Sequence, residues 1–488
     1  MNNSPRRNTL LVYDDREFVG PDLQTIVGNR RFGDIIFRRQ SLFDHFCSGL
    51  PGWARSNLIR LCSKNDLDDL LARIGDSPKD TSICIVAGRA GFSLPDRLFQ
   101  LIERLPYAEE DFTDRLYKPL MVFMTNAHAL ADVWPKFEAD CLHDWAAAWQ
   151  DAQRLESVRP LDLARIQDFL TFTTGSTATR HFNEVQIDAY YYTKRSRDKK
   201  KMRSEYAFYQ LAPESMRPWL IQPFDYRDEA DTASYRMLRY YLADAALQWV
   251  HGAFNENSFP PFVNKLLFFL RERPRKQTSS GDCSSHARGL FVTKVEERTK
   301  VFLKSAEGAK INKLVSAANL ALSVECQLQR YLQLYSKFEN SFALDYLVVG
   351  HGDPCFSNLL YDPQRYLLML IDPKGATSED ELWTHPFYDF AKVSHSVLGD
   401  YDFINNGLYT IGFTEDNQLT LDIRHSNAAH LKQIFTDQLS AIGYDTRTVR
   451  LAEASLFLSM LPLHIDHPNK IGAFLLRAKS ILDEIENG

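Results

Sequence analysis

The sequence predicts an α/β layer domain over residues 1–155, followed by an α+β part with a small β-rich section and a larger, mainly helical one. Three observations carry that expectation. From Thr9 to about Asn126, short apolar runs alternate with amphipathic stretches. After Pro160 the pattern turns to alternating, β-rich segments. From Gly289 on, helical periodicity dominates.

In the first part, Thr9–Tyr13, Asp34–Phe37, Asn57–Leu61, Ser82–Val86 and Leu120–Met124 read as buried strands of a parallel layer. Ser41–Leu50, Asn65–Ile74 and Pro95–Leu105 read as helices, each opened by a Ser, Asn or Pro start signal. A long helix from Ala129 to Leu155 follows as a connector, with Trp134, Phe137, Cys141 and Trp145 on one face. Beyond it, Glu184–Thr193 reads as a strand, Asp198–Leu211 as a helix, Ser234–Leu242 as a strand and Ala243–Ala253 as the start of a helix. Arg271–Ser285, with Pro, Gly and Ser and no periodicity, reads as a loop. Two apolar runs, Tyr346–Gly350 and Tyr366–Ile371, interrupt the helices of the last part.

Composition excludes several classes. Apolar residues make up 44 % and charged residues 25 % of the 488, an ordinary globular balance. The formal charge of −6 gives no general polyanion surface, so no nucleic acid is expected as a partner. The basic run Lys194–Arg203 reads as a solvated helix face. No apolar run reaches the roughly 18 residues of a membrane span. The start Met1-Asn-Asn-Ser-Pro-Arg-Arg lacks the apolar stretch of a signal peptide. Seven scattered cysteines without a CxxC pair support neither a zinc site nor a disulfide framework. A cytoplasmic protein with free thiols is the expectation.

The stretch that carries chemistry reads Val348-Val-Gly-His-Gly-Asp-Pro-Cys-Phe-Ser-Asn358, then Leu367-Leu-Met-Leu-Ile-Asp-Pro-Lys374. A strand ends in a loop holding His351, Asp353 and Asn358, and a hairpin turning at Asp362-Pro-Gln-Arg365 returns Asp372 at the end of the next strand. Two carboxylates and an amide thereby meet at strand ends. Phosphoryl transfer needs that set: one Asp to take a hydroxyl proton, an Asn and a second Asp to hold Mg²⁺.

HGDPCFSN followed by IDP resembles the signature of the aminoglycoside phosphotransferase and choline kinase family, and the likeness spans about residues 165–480. The resemblance implies a protein-kinase-like bilobal fold, with a β-rich lobe over 160–255 and a helical lobe over 256–488. It implies Asp353 as catalytic base, Asn358 and Asp372 as Mg²⁺ ligands and His351 as support of the loop. His385-Pro-Phe-Tyr-Asp-Phe-Ala391 resembles the family's DLA segment, with Phe for Leu, in which Asp389 steadies the catalytic loop. ATP or GTP would be the phosphoryl donor. The tripeptide Asp372-Pro-Lys374 departs from the family's pattern.

Upstream, Thr193-Lys194 ends the β-rich run where the family keeps its nucleotide-orienting Lys. In the next helix Met202, Tyr206 and Tyr209 form one stripe, and Glu205 beside it can pair with Lys194. In Thr173–Asn183 a single Gly175 stands among hydroxyl residues. Ser176 and Thr177 are nucleotide-loop candidates there, and Arg180 could pair with phosphate or a carboxylate. Tyr235–Tyr241 would lead to the segment that meets the base. Trp219, Trp249, His251, Trp383 and His385 suit stacking on a sugar or filling a core equally well. The loop at Thr179–Asn183, the Lys194–Glu205 stretch and HGDPCFSN also look like phosphotransferase-like proteins of bacterial surface-polysaccharide gene sets, which tilts the acceptor towards a sugar.

In residues 1–155, Val86-Ala-Gly-Arg-Ala-Gly-Phe92 with Tyr117-Lys-Pro-Leu120 is faintly similar to sugar nucleotidyltransferases, and Asp14-Asp15-Arg16 closes the first strand. Three roles stay open for that part: binding a sugar nucleotide, homo-oligomerisation, or recognition of a partner. The leading expectation is a Mg-dependent phosphotransferase acting on a small hydroxyl compound such as a sugar, an amino alcohol or an aminoglycoside. The alternatives are a nucleotide-binding pseudokinase that scaffolds a biosynthetic complex, and a bifunctional enzyme with a nucleotidyltransferase-like first domain.

Overall fold

In a computed structural model of the chain, residues 7–115, 117–132, 134, 149, 151–173, 183–415, 418–424 and 428–487 are described. The chain divides into two compact units, Met1–Ala178 and Thr179–Gly488.

The first unit is built on a six-stranded sheet in the order Leu58–Leu61, Thr9–Asp14, Ser82–Ala87, Met121–Met124, Phe112–Thr113, Gln153–Arg154. The first three strands run parallel, with Leu11 opposite both Leu58 and Cys84. Side chains alternate between faces along a strand, and here both faces are covered. Leu10, Val12 and Ile83 pack with Leu67, Leu70 and Ile74. Leu11, Tyr13, Cys84 and Val86 pack with Phe46, Leu98 and Ile102. Double-sided burial explains why these strands are unbroken apolar runs.

Three expectations for this unit are corrected. The layer is mixed rather than parallel, because Met121–Met124 pairs antiparallel with Ser82–Ala87. Asp34–Phe37 is no layer strand: Ile36–Phe37 forms a small hairpin with Gln40–Ser41, turning through Arg38 and Arg39 at φ 48° and 70°. The connector helix does not reach Leu155, since Gln153–Arg154 is a strand paired with Phe112–Thr113. Phe137, Cys141 and Trp145 lie outside the described residues.

The second unit opens with a four-stranded antiparallel sheet in the order Asn183–Ile187, Tyr191–Ser196, Ala233–Leu238, Pro223–Asp228. The expected single strand Glu184–Thr193 is two strands. Asp188 breaks it, its carboxylate accepting the N–H groups of Tyr190 and Tyr191 at 2.8 Å. Lys194 therefore stands inside a strand rather than at its end, opposite Tyr235. The helix Lys199–Leu211, capped by Asp198, packs on this sheet through Met202, Glu205 and Phe208.

The rest of the unit is mainly helical. Its axis is Thr446–Met460, buried from Thr448 to Met460 and packed by Phe387–Val397 and Pro468–Asn487. The expected loop Arg271–Ser285 is ordered: Arg275–Gln277 pairs with Tyr346–Val349, and Ser280–Arg288 is a helix capped by Ser279. A further hairpin, Tyr409–Phe413 with Leu419–Ile423, was not expected among the helices. Its half-exposed strands carry too weak an alternation to stand out. Among the described residues, no helix is long and apolar enough to cross a membrane.

Candidate active site

The strand Tyr346–Val349, buried from Leu347 on, leads into His351, Gly352 and Asp353. The loop is held from below by Asp389, fully buried in the first turn of Phe387–Val397. Its carboxylate accepts the N–H groups of His351 and Gly352, both at 2.9 Å, and the Arg273 guanidinium at 2.5 Å. Gly352 adopts φ +82°, and a Cβ there would stand 2.5 Å from the Cβ of Lys374. Only glycine suits that position. His351 is buried, and burial keeps its imidazole below the usual value despite the neighbouring carboxylates. Its neutral Nδ1 accepts the Asp353 N–H at 3.4 Å.

Asn358 ends a single 3₁₀ turn, and its Nδ2 donates to the Asp353 carbonyl at 2.8 Å and to Asp353 Oδ2 at 3.3 Å. The amide nitrogen is thus engaged, and Oδ1 is the atom able to meet a cation. The hairpin Leu359–Asp362 with Leu367–Leu370 follows, and Asp372 emerges from it in the left-handed region at φ 55°. Ile371 N–H donates to the Asn358 carbonyl at 3.0 Å, which sets the two metal-ligand candidates side by side.

Lys194 reaches the same place from the sheet. Its Nζ donates to Glu205 Oε2 at 2.8 Å and to Asp372 Oδ1 at 3.0 Å. Both pair members are almost sealed, at 4 % and 2 % side-chain exposure, whereas the Asp372 side chain is 34 % exposed. Burial pulls the Lys194 ammonium down, and Asp372 and Glu205 together push it well above its usual value. The Tyr235 hydroxyl donates to Glu205 at 2.8 Å and fixes the carboxylate. Ala376 N–H donates to the Ser204 carbonyl at 3.0 Å and ties the helix to the segment after Asp372. Beside the pair, Tyr192, Met237 and Leu242 pack with Leu360, Met369 and Ile371, so sheet and hairpin share one apolar cluster.

Lys194, Glu205, Asp353, Asn358 and Asp372 are therefore brought together, with His351 and Asp389 beneath. Gly175, Ser176, Thr177 and Arg180 lie outside the described residues. Of the aromatic candidates, Trp249, His251 and His385 are core residues. Trp249 stacks on Phe259 at 5.2 Å and His385 on Phe387 at 5.5 Å. At the end of the first strand of the other unit, Asp14 pairs with Arg16, and buried Asp15 accepts the Gly33 N–H and the Arg60 guanidinium. Those contacts give both carboxylates structural partners. No group of three or more His, Cys, Asp or Glu suited to a metal occurs among the described residues.

Two residues were missed by sequence reasoning. Arg273 sits in the segment expected to be a loop, yet it is the buried counter-ion of Asp389. Lys392 places Nζ 2.9 Å from Asp353 Oδ1. The available signal for Lys392 was its i+3 spacing from Asp389, which puts both on one helix face.

A small antiparallel sheet with an inward Lys–Glu pair, above a helical body carrying an HxD…N loop and a hairpin that ends in Asp, fits a bilobal kinase-like fold. In solved structures, the chain is similar to aminoglycoside phosphotransferase APH(4)-Ia, with a TM-score of 0.39 and 10 % identity over 63 % of this chain and 91 % of that one. It is similar as well to a thermostable mutant of that enzyme in ternary complex with AMP-PNP and hygromycin B, with a TM-score of 0.39 and 10 % identity over 65 % and 97 %. No family model and no curated protein matches the chain.

Proposed function

We propose that the second unit transfers the γ-phosphoryl group of ATP or GTP to a hydroxyl of a small polar acceptor such as a sugar, with Mg²⁺ bound. The observation that carries the reading is the Lys194 ammonium held between Glu205 and Asp372. A buried cation stabilised by one sealed and one accessible carboxylate is prepared to meet phosphate oxygens when Asp372 turns to a metal.

Asn358 Oδ1 and the Asp372 carboxylate are hard oxygen donors, and such a pair completed by phosphates suits Mg²⁺. The ion would neutralise charge on the phosphates. Asp353 accepts the proton of the acceptor hydroxyl while that oxygen forms its bond to Pγ. The bond from Pγ to the β-bridging oxygen breaks, and the nucleoside diphosphate leaves with that electron pair. The Asp353 proton then passes to water. Asp389 and Asn358 orient Asp353 through the loop bonds described above.

Calorimetric titration of the full chain with Mg-ATP and Mg-GTP tests the reading. Binding that is lost in Asp372→Ala supports it, and absence of binding by either nucleotide overturns it.

A further inference from the structure

The geometry points to an acceptor that is itself an anion, a hydroxyl compound bearing a phosphate or carboxylate, held through Lys294 and Lys392 beside Asp353. This rests on the phosphotransferase reading and specifies what comes to its base.

Lys392 approaches Asp353 Oδ1 at 2.9 Å with its side chain only 15 % exposed, whereas the Asp353 side chain is 41 % exposed. One turn earlier on the same helix stands Tyr388, almost fully buried. The Lys294 ammonium donates to the Tyr388 hydroxyl at 2.7 Å and lies 4.9 Å from the centre of its ring. Burial alone would raise the phenol, but Lys392 and Lys294 bring it below its usual value, with Asp353 opposing them. Two ammonium groups thus converge where, among the described residues, Asp353 is the carboxylate that answers them.

The hydrogen-bond partner of Lys294 is a phenol rather than a carboxylate. Lys294 also directly follows the π-helical turn Gly289–Thr293, which joins Ser280–Arg288 to Lys294–Lys304. A π turn inserts a residue into the helical phase, and such turns are frequent at functional sites. It sets which side of the following helix Lys294 occupies.

The charge balance separates acceptor classes. An ammonium-bearing acceptor would meet two like charges on its way to Asp353. A neutral one would add no counter-charge to Lys294 beside the phenol. An anion pairs with Lys294 and competes with Asp353 for Lys392. That exchange releases Asp353 Oδ1 from Lys392 to take the hydroxyl proton, so the acceptor's charge and the readiness of the base are coupled.

The test uses the full chain, and begins with Mg-ATP binding by calorimetry. ADP release is then followed with two matched sets: glucose, glucose 6-phosphate, glucuronate and glucosamine, and glycerol, glycerol 3-phosphate, glycerate and choline. At least one phosphate- or carboxylate-bearing member should stimulate ADP release with a KM tenfold or more below that of its neutral counterpart. Lys294→Gln should raise that KM about tenfold without raising the neutral one, and Lys294→Arg should restore it. Stimulation by the phosphorylated members alone assigns phosphate, and by the acids alone carboxylate. The inference is overturned if a neutral or amino member is the best acceptor, if Mg-ATP binds and no anion stimulates, or if Lys294→Gln leaves the KM ratio unchanged. Failure of Mg-ATP to bind overturns the reading beneath it, and the inference with it.

Discussion

Lys194 Nζ and Asp372 Oδ1, 178 residues apart in sequence, are joined at 3.0 Å. The bond closes the sheet onto the hairpin and uses two groups that a Mg-nucleotide would need separately, the cation for phosphate and the carboxylate for metal. Binding must therefore exchange this pair for two stronger partners. Asp372→Ala removes the metal side of that exchange and should weaken Mg-nucleotide binding by about a hundredfold, roughly 2.7 kcal/mol. Calorimetry on the variant checks it, and an unchanged affinity would remove Asp372 from the site.

The role of Asp353 separates differently. It touches the acceptor rather than the nucleotide, so Asp353→Ala should lower turnover about 10²- to 10⁴-fold. Nucleotide affinity should change little. Steady-state rates beside a nucleotide titration provide both numbers. Near-normal turnover in the variant would mean that another group takes the proton.

Asp402 gives the pH dependence a definite sign. It is almost fully buried, and burial, followed by repulsion from Asp244, Asp353 and Asp400, lifts its carboxyl from 3.8 to about 7 against the pull of a Ser396 hydrogen bond. The folded state then binds a proton that the unfolded chain releases between about pH 4 and 7. The associated stability is complete below about pH 4 and is lost as pH rises through 7, by at most roughly 4 kcal/mol. Asp402→Asn should therefore raise the melting temperature at pH 8, and its advantage should shrink on acidification to pH 5. Melting curves at the two values decide; an equal shift at both would disprove the linkage.

How much of this was legible in the sequence depends on how local the signal is. The strand ends around His351–Asn358 and Asp372 could be read because a turn sequence and two apolar runs lie within thirty residues. The Lys194–Glu205 pair could be read because a helix stripe fixes which way Glu205 faces. Non-local features were not. Asp188 hides a hairpin inside an apparently continuous strand, since an Asx turn needs only one carboxylate. Arg273 is placed by Asp389, 116 residues away, with no periodic context of its own. The antiparallel direction of Met121–Met124 leaves no mark in composition, because an apolar run buried on both faces looks the same in either direction.

The Arg273–Asp389 pair links stability to the site. Both side chains are fully buried, so each is desolvated and depends on the other. Removing one partner strands a charge, which typically costs about 3–5 kcal/mol. Arg273→Met should therefore lower the denaturation midpoint by that order. Asp389→Asn should do likewise, and should also slacken the catalytic loop, because the His351 and Gly352 N–H groups meet different carboxylate oxygens and an amide offers only one acceptor oxygen. The double variant leaves no uncompensated charge, so its loss should fall well short of the sum of the singles, a coupling that a double-mutant cycle measures directly. Additive losses would show that the two side chains act independently. In that case Asp389 would hold the loop without help from Arg273, and the guanidinium bond would have no part in positioning Asp353.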